Sequence, residues 1–126
     1  LPVICLGVDI PAILDHDGDG DIDIISFTET SSTLYQFQGE TSCGLEMTCT
    51  NRCYGMLGEA SENNALFIGD NFDCAYNVAD PRDAVHAGGS ITSLQLDNEG
   101  PLDLLIGDVS FPNSLAVLME DAVDYQ

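Results

Sequence analysis

Nine consecutive residues, Asp15-His16-Asp17-Gly18-Asp19-Gly20-Asp21-Ile22-Asp23, put a carboxylate at every second position. No apolar core can absorb such a run, and acids this close repel one another unless a counter-charge sits among them. Glycine at two of the intervening positions lets the backbone bend sharply enough to wrap an ion. A hard cation is therefore expected, and Ca²⁺, which accepts six to eight oxygens at roughly 2.3–2.6 Å in a tolerant geometry, suits the run better than Mg²⁺, which demands an octahedron and keeps its waters. With Asp15 as ligand position one, Asp17, Asp19 and Asp23 fall at three, five and nine, and the carbonyl of Asp21 falls at seven. An EF-hand loop begins the same way, but its bidentate glutamate at position twelve is here Ser26, and Ile22–Phe27 reads as a strand. The loop is therefore flanked by strands, not helices.

The rest of the composition narrows the partners. There are 22 acidic residues against two arginines, Arg52 and Arg82, and the formal charge is −20. Nucleic acid and anionic membrane surfaces are excluded as partners, because phosphate recognition needs basic groups the chain lacks. With 44% hydrophobic residues the chain supports a modest core in spite of its charge. Bound divalent cations would relieve the self-repulsion, and a saline habitat is a competing source of the acidity. Five cysteines, Cys5, Cys43, Cys49, Cys53 and Cys74, lack zinc-type CxxC pairing, which favours disulfides in an oxidising, extracellular compartment with one cysteine left over. The preferred pairs are Cys53 with Cys74 and Cys43 with Cys49, leaving Cys5 odd. The opening Leu1–Leu6 run is too short and uncharged for a signal peptide, so a secreted protein would have lost its leader or carry it elsewhere.

Along the chain, residues 3–8 and 10–14 read as short strands. Residues 22–27 and the alternating Thr33–Gln38 form a hairpin around the polar 28–32 stretch. Residues 39–64 read as an irregular, cysteine-rich insertion stapled by disulfides. Strand pattern resumes at 65–70, and after an irregular connection the last third repeats the first. Residues 91–96 are a strand, 97–103 a weaker acidic turn, 104–107 the following strand, and 114–119 closes a hairpin. Setting Asp23 on Asp103 superposes the two units at an offset of 80, and LFIGD at 66–70 against LLIGD at 104–108 hints at a third, degenerate copy. The expected organisation is thus a first blade unit at 1–38, the insertion at 39–64, and second and third units at 65–126. In the second turn a weaker ion site would use Gln95, Asp97, Glu99 and Asp103.

The pattern D-x-D-x-D-G-x-x-D followed by a strand resembles the FG-GAP or VCBS repeat, the blade unit of the integrin-α propeller. The runs HAGGSITSLQLDNEGPLDLLIGD at 86–108 and NRCYGMLGE at 51–59 are similar to VCBS-repeat proteins exported by the type IX secretion system of Bacteroidetes-type bacteria. The resemblance implies an all-β fold of antiparallel propeller-like blades. It also implies a structural Ca²⁺ held by Asp15, Asp17, Asp19, the Asp21 carbonyl and Asp23, and an extracellular setting. A closed propeller needs at least four blades, so the chain is expected to be part of a longer polypeptide or a subunit completed by its neighbours.

Catalysis has little support. His16 is expected to point outward from the ion loop, His86 lies in a glycine-rich connection, and neither has a nucleophile at a defined spacing. A chance carboxylate pair is no glycosidase signature in a chain this acidic. Leu34, Tyr35 and Phe37 read as strand core. The expected function is a non-enzymatic, calcium-bearing binding or adhesion module for an extracellular protein or glycan. The alternatives are a repeating subunit of a filament, and the propeller part of a carbohydrate-active enzyme.

Overall fold

The computed structural model describes residues 9–28, 31–41, 44, 46–59, 66–68, 89–109, 111–112 and 114–119. They form an all-β structure whose strand pairs are all antiparallel, with a single 3-10 turn at Tyr54–Met56. The strands are β1 (Ala12–Leu14), β2 (Asp23–Thr28), β3 (Ser31–Gly39), β4 (Met47–Asn51), β5 (Leu57–Glu59), β6 (Leu66–Ile68), β7 (Gly89–Leu94), β8 (Asp103–Asp108) and β9 (Ser114–Val117). One sheet runs β1-β2-β3-β5-β6, with β4 pairing the C-terminal half of β3 beside β5; the other is the meander β7-β8-β9. A parallel bridge between Ile10 and Ser90 joins them, closed by Ile10 N–H to Gly89 O at 2.8 Å and Ile91 N–H to Ile10 O at 2.9 Å.

The repeat at offset 80 holds pair by pair. Leu14 opposes Asp23 as Leu94 opposes Asp103, Ile24 opposes Phe37 as Leu104 opposes Val117, and Phe27 opposes Leu34 as Gly107 opposes Ser114. In both units one buried carboxylate ties the hairpin to its loop. Asp23 accepts the amides of His16 at 2.9 Å and Gly39 at 3.1 Å; Asp103 accepts those of Leu96 at 2.8 Å and Met119 at 2.9 Å. These partners also differ by 80, and both acids are at most 1% exposed. The amides of Met119 and Leu96 hold the Asp103 carboxyl below its ordinary value.

The core forms where the two units meet. Strand alternation puts Ala12, Ile25, Phe27 and Leu34 on one face of the first sheet, and Ile91, Leu104, Ile106 and Val117 on one face of the second; together with Tyr54, Leu57 and Met119 they make a single buried cluster. The faces used are not equivalent. Ile25 corresponds to Leu105, which is 37% exposed, whereas its buried neighbours Leu104 and Ile106 correspond to Ile24 and Ser26. The two units are therefore stacked in the same sense, the front of one on the back of the next.

The described part of residues 39–64 differs from the expectation of an irregular insertion. Within them β4 and β5 extend the first sheet, because β3 offers a nine-residue edge that two short segments can share. Thr33 Oγ1 donates to Arg52 O at 2.8 Å and fixes the segment in place. Cys49 carries a free thiol, so the Cys43–Cys49 bridge is not formed. Cys53 is disulfide-bonded, and Cys74, its expected partner, lies outside the described residues with Cys5 and Cys43. The strand expected at 3–8 and the connection at 80–88 also lie outside them. β6 joins the first sheet through β5, and the residues that would complete a third unit are not among those described.

Replacing Asp23 by alanine leaves the buried His16 amide and the part-buried Gly39 amide without an acceptor. At roughly 1–3 kcal/mol for each unsatisfied group, urea unfolding in the presence of chelator should show a loss of about 2–5 kcal/mol, with Asp23→Asn losing distinctly less.

Candidate metal centre

The Asp15–Asp23 loop folds back on its own carboxylates. Asp15 accepts the amides of Gly18 at 2.8 Å and Gly20 at 3.0 Å, Asp17 that of Asp19 at 3.1 Å, and Asp19 that of Asp21 at 2.9 Å. These turns require left-handed backbone, and glycine supplies it at Gly18 (φ 82°) and Gly20 (φ 94°). The side chains gather as a result. One carboxylate oxygen from each of Asp15, Asp17 and Asp19 lies within 4.8 Å of the others. Oxygens sharing one Ca²⁺ at roughly 2.3–2.6 Å stand up to about 5 Å apart, so the residues present fit a hard divalent cation.

Asp21 and Asp23 stand apart from this trio. Asp23 is turned into the fold and serves the hairpin, each of its oxygens keeping a second lone pair. Partial desolvation, together with the carboxylates of Asp19, Asp15, Asp23 and Asp17, raises the Asp21 carboxyl above its ordinary value. The loop thus carries charge repulsion that a cation would remove. Gln38, at the end of β3, donates from Nε2 to Asp17 Oδ2 at 2.7 Å and orients it.

The second turn keeps the backbone path without the cluster. Asn98 (φ 65°) and Gly100 (φ 61°) stand where Gly18 and Gly20 do, and Asp97 accepts the Glu99 amide at 2.9 Å as Asp17 accepts that of Asp19. Gln95, in the place of Asp15, instead donates from Nε2 to Gly100 O at 3.3 Å, and Asp97, Glu99 and Asp103 do not bring their oxygens to the spacing of the first trio.

His16 does not point outward as expected. It is 7% exposed, its Nε2 hydrogen-bonds the Tyr54 hydroxyl, and the two rings meet edge to face with centroids 5.3 Å apart. Alternation had placed it opposite the ligands. The missing information was Tyr54, which arrives on the 3-10 turn 38 residues later and has no local signal pointing to the loop. Burial lowers the histidine below its ordinary value against the opposing pull of Asp23 and Asp17, and pushes the Tyr54 phenol up to about 12. His86 lies outside the described residues.

Comparison with protein-family models, with curated proteins and with solved structures finds no match to this chain. Among the described residues no helix is long and apolar enough to cross a membrane.

A histidine whose folded value is lowered stabilises the fold above its unfolded value of 6.5 and loses that contribution as pH falls through the folded value. Stability in chelator should therefore decline as pH falls below about 6.5, and His16→Phe, which keeps a ring against Tyr54, should flatten that decline. In the loop itself, alanine at Gly20 meets no atom within 4 Å but must hold a positive φ. Thermal unfolding should report a cost of about 1 kcal/mol.

Proposed function

We propose that the chain is a calcium-stabilised, non-enzymatic binding module of the extracellular space, built from FG-GAP/VCBS-type blade units. The observation that carries this reading is the loop itself. Three carboxylates converge on ion-sharing distances between two antiparallel strands, on a backbone pinned to the hairpin by a fourth. The same-sense stacking of the two units supports it, since successive propeller blades pack front to back. Oxidation at Cys53 is in keeping with an extracellular site. The ion in this reading is structural: it closes the turn and fixes the strand ends, and partner recognition lies on other surfaces.

A second reading, a subunit that continues its stack through further copies, draws on the outward sheet faces. Ile13 is 60% exposed on the back of the first unit and Leu105 37% exposed on the front of the second. Sedimentation in calcium and in chelator separates the two, since growth of oligomers in calcium favours the subunit reading and a strict monomer opposes it.

Calorimetry after chelation should give one saturable Ca²⁺ site, with a dissociation constant in the range of about 10⁻⁴–10⁻³ M usual for extracellular modules. Free calcium at 100 times that constant should stabilise the fold by about 2.7 kcal/mol. Asp19→Asn, which keeps the oxygen that accepts the Asp21 amide but loses the charge, should weaken binding at least about tenfold. Absence of saturable binding below about 10 mM would overturn the reading.

A further inference from the structure

The outward face of the second unit carries a cleft of about 340 Å³ whose floor is the row Ser90, Gly107 and Ser114, adjacent on β7, β8 and β9. The first unit has Phe27 and Leu34 at the places of Gly107 and Ser114, both fully buried against the second unit, while Ile10, the counterpart of Ser90, is 67% exposed and itself lines the cleft. Two large buried side chains have thus been exchanged for a glycine and a hydroxyl. The exchange hollows the face. A Cβ built on Gly107 would stand 2.9 Å from Ser90 Oγ and 3.6 Å from Ser114 Oγ, so both hydroxyls converge over the bare glycine. Phe111 and Pro112 add an apolar wall, with Ile10 across the row.

The geometry points to this cleft as a binding site for a neutral sugar. Small-ligand sites are concave, of about 300–1,000 Å³, and set a few polar groups against an apolar surface. A pyranose has the matching chemistry, with an apolar ring face for the Phe111–Pro112 side and edge hydroxyls that exchange hydrogen bonds with Ser90 and Ser114. A buried polypeptide would call for the apolar row that the first unit keeps. Anionic ligands are repelled by a chain of net charge −20. The cleft lies at the end of the strands opposite both acidic loops, because β7 begins and β8 ends there. The inference gives the proposed binding module a ligand class, and it fails separately from the calcium reading because the two sites are measured independently.

The test is saturation-transfer NMR and calorimetry on the whole chain in calcium with glucose, galactose, mannose and N-acetylglucosamine, beside glucuronate as the anion and lysine amide as the cation. At least one neutral sugar should bind with a dissociation constant below about 10 mM, and glucuronate at least about tenfold more weakly. Ser114→Leu, which restores the first unit's residue and fills the cleft, should reduce sugar binding at least about tenfold while leaving calcium binding and the melting temperature intact. Ser90→Ala, which keeps the cleft open and removes one hydroxyl, should give an intermediate loss. The inference is overturned if no neutral sugar binds, if lysine amide binds and the sugars do not, or if Ser114→Leu binds sugar as the native chain does.

Discussion

One buried carboxylate at the start of the second strand of each unit is what the architecture depends on. Asp23 and Asp103 each accept one amide seven residues back and another sixteen residues on, and so lock an acidic turn, a central strand and the strand after it into a single register. An ionised acceptor makes hydrogen bonds about twice as strong as a neutral one, and the low surrounding dielectric makes its loss expensive. A shift of one residue in either strand would carry an apolar row to the wrong face. The acid thus sets the register that decides which side chains meet in the core.

The acidic loop depends on this lock. Asp15, Asp17 and Asp19 gather because their turns close locally, but the loop holds its place because Asp23 grips its second residue and the end of β3 at once. His16 adds a second tie through Tyr54, binding the loop to the segment that extends the first sheet. In the second unit the same scaffold persists with Gln95 in place of Asp15 and Pro101 in place of Asp21, so one backbone frame carries turns of five acids and of three. The two units also treat their equivalent faces differently. Phe27 and Leu34 build the core, whereas Gly107 and Ser114 leave a cleft.

Much of this was legible in the residues. Spacing of aspartate and glycine marked the loop, alternation marked β2, β3, β7, β8 and β9, and setting Asp23 on Asp103 recovered the register of every shared strand pair. What escaped depends on contacts distant in sequence. Met47–Asn51 and Leu57–Glu59 have weak patterns of their own and become strands because β3 presents an edge to them. The burial of His16 awaits Tyr54, and Cys49 stays a thiol although spacing suggested a bridge. Spacing makes Asp23 an expected ion ligand equal to its neighbours; its grip on two backbone amides appears only when the strands are in place.

The most direct test of the account is a calcium titration followed by amide ¹H–¹⁵N NMR. A cation held by the Asp15–Asp19 turn and transmitted through Asp23 should move the amides of Gly18, Gly20 and Asp21 with one saturating midpoint and shift those of His16 and Gly39 in step. The corresponding amides of Asn98, Gly100 and Met119 should stay in place. Shifts that never saturate, or that fall equally on the two turns, would contradict it.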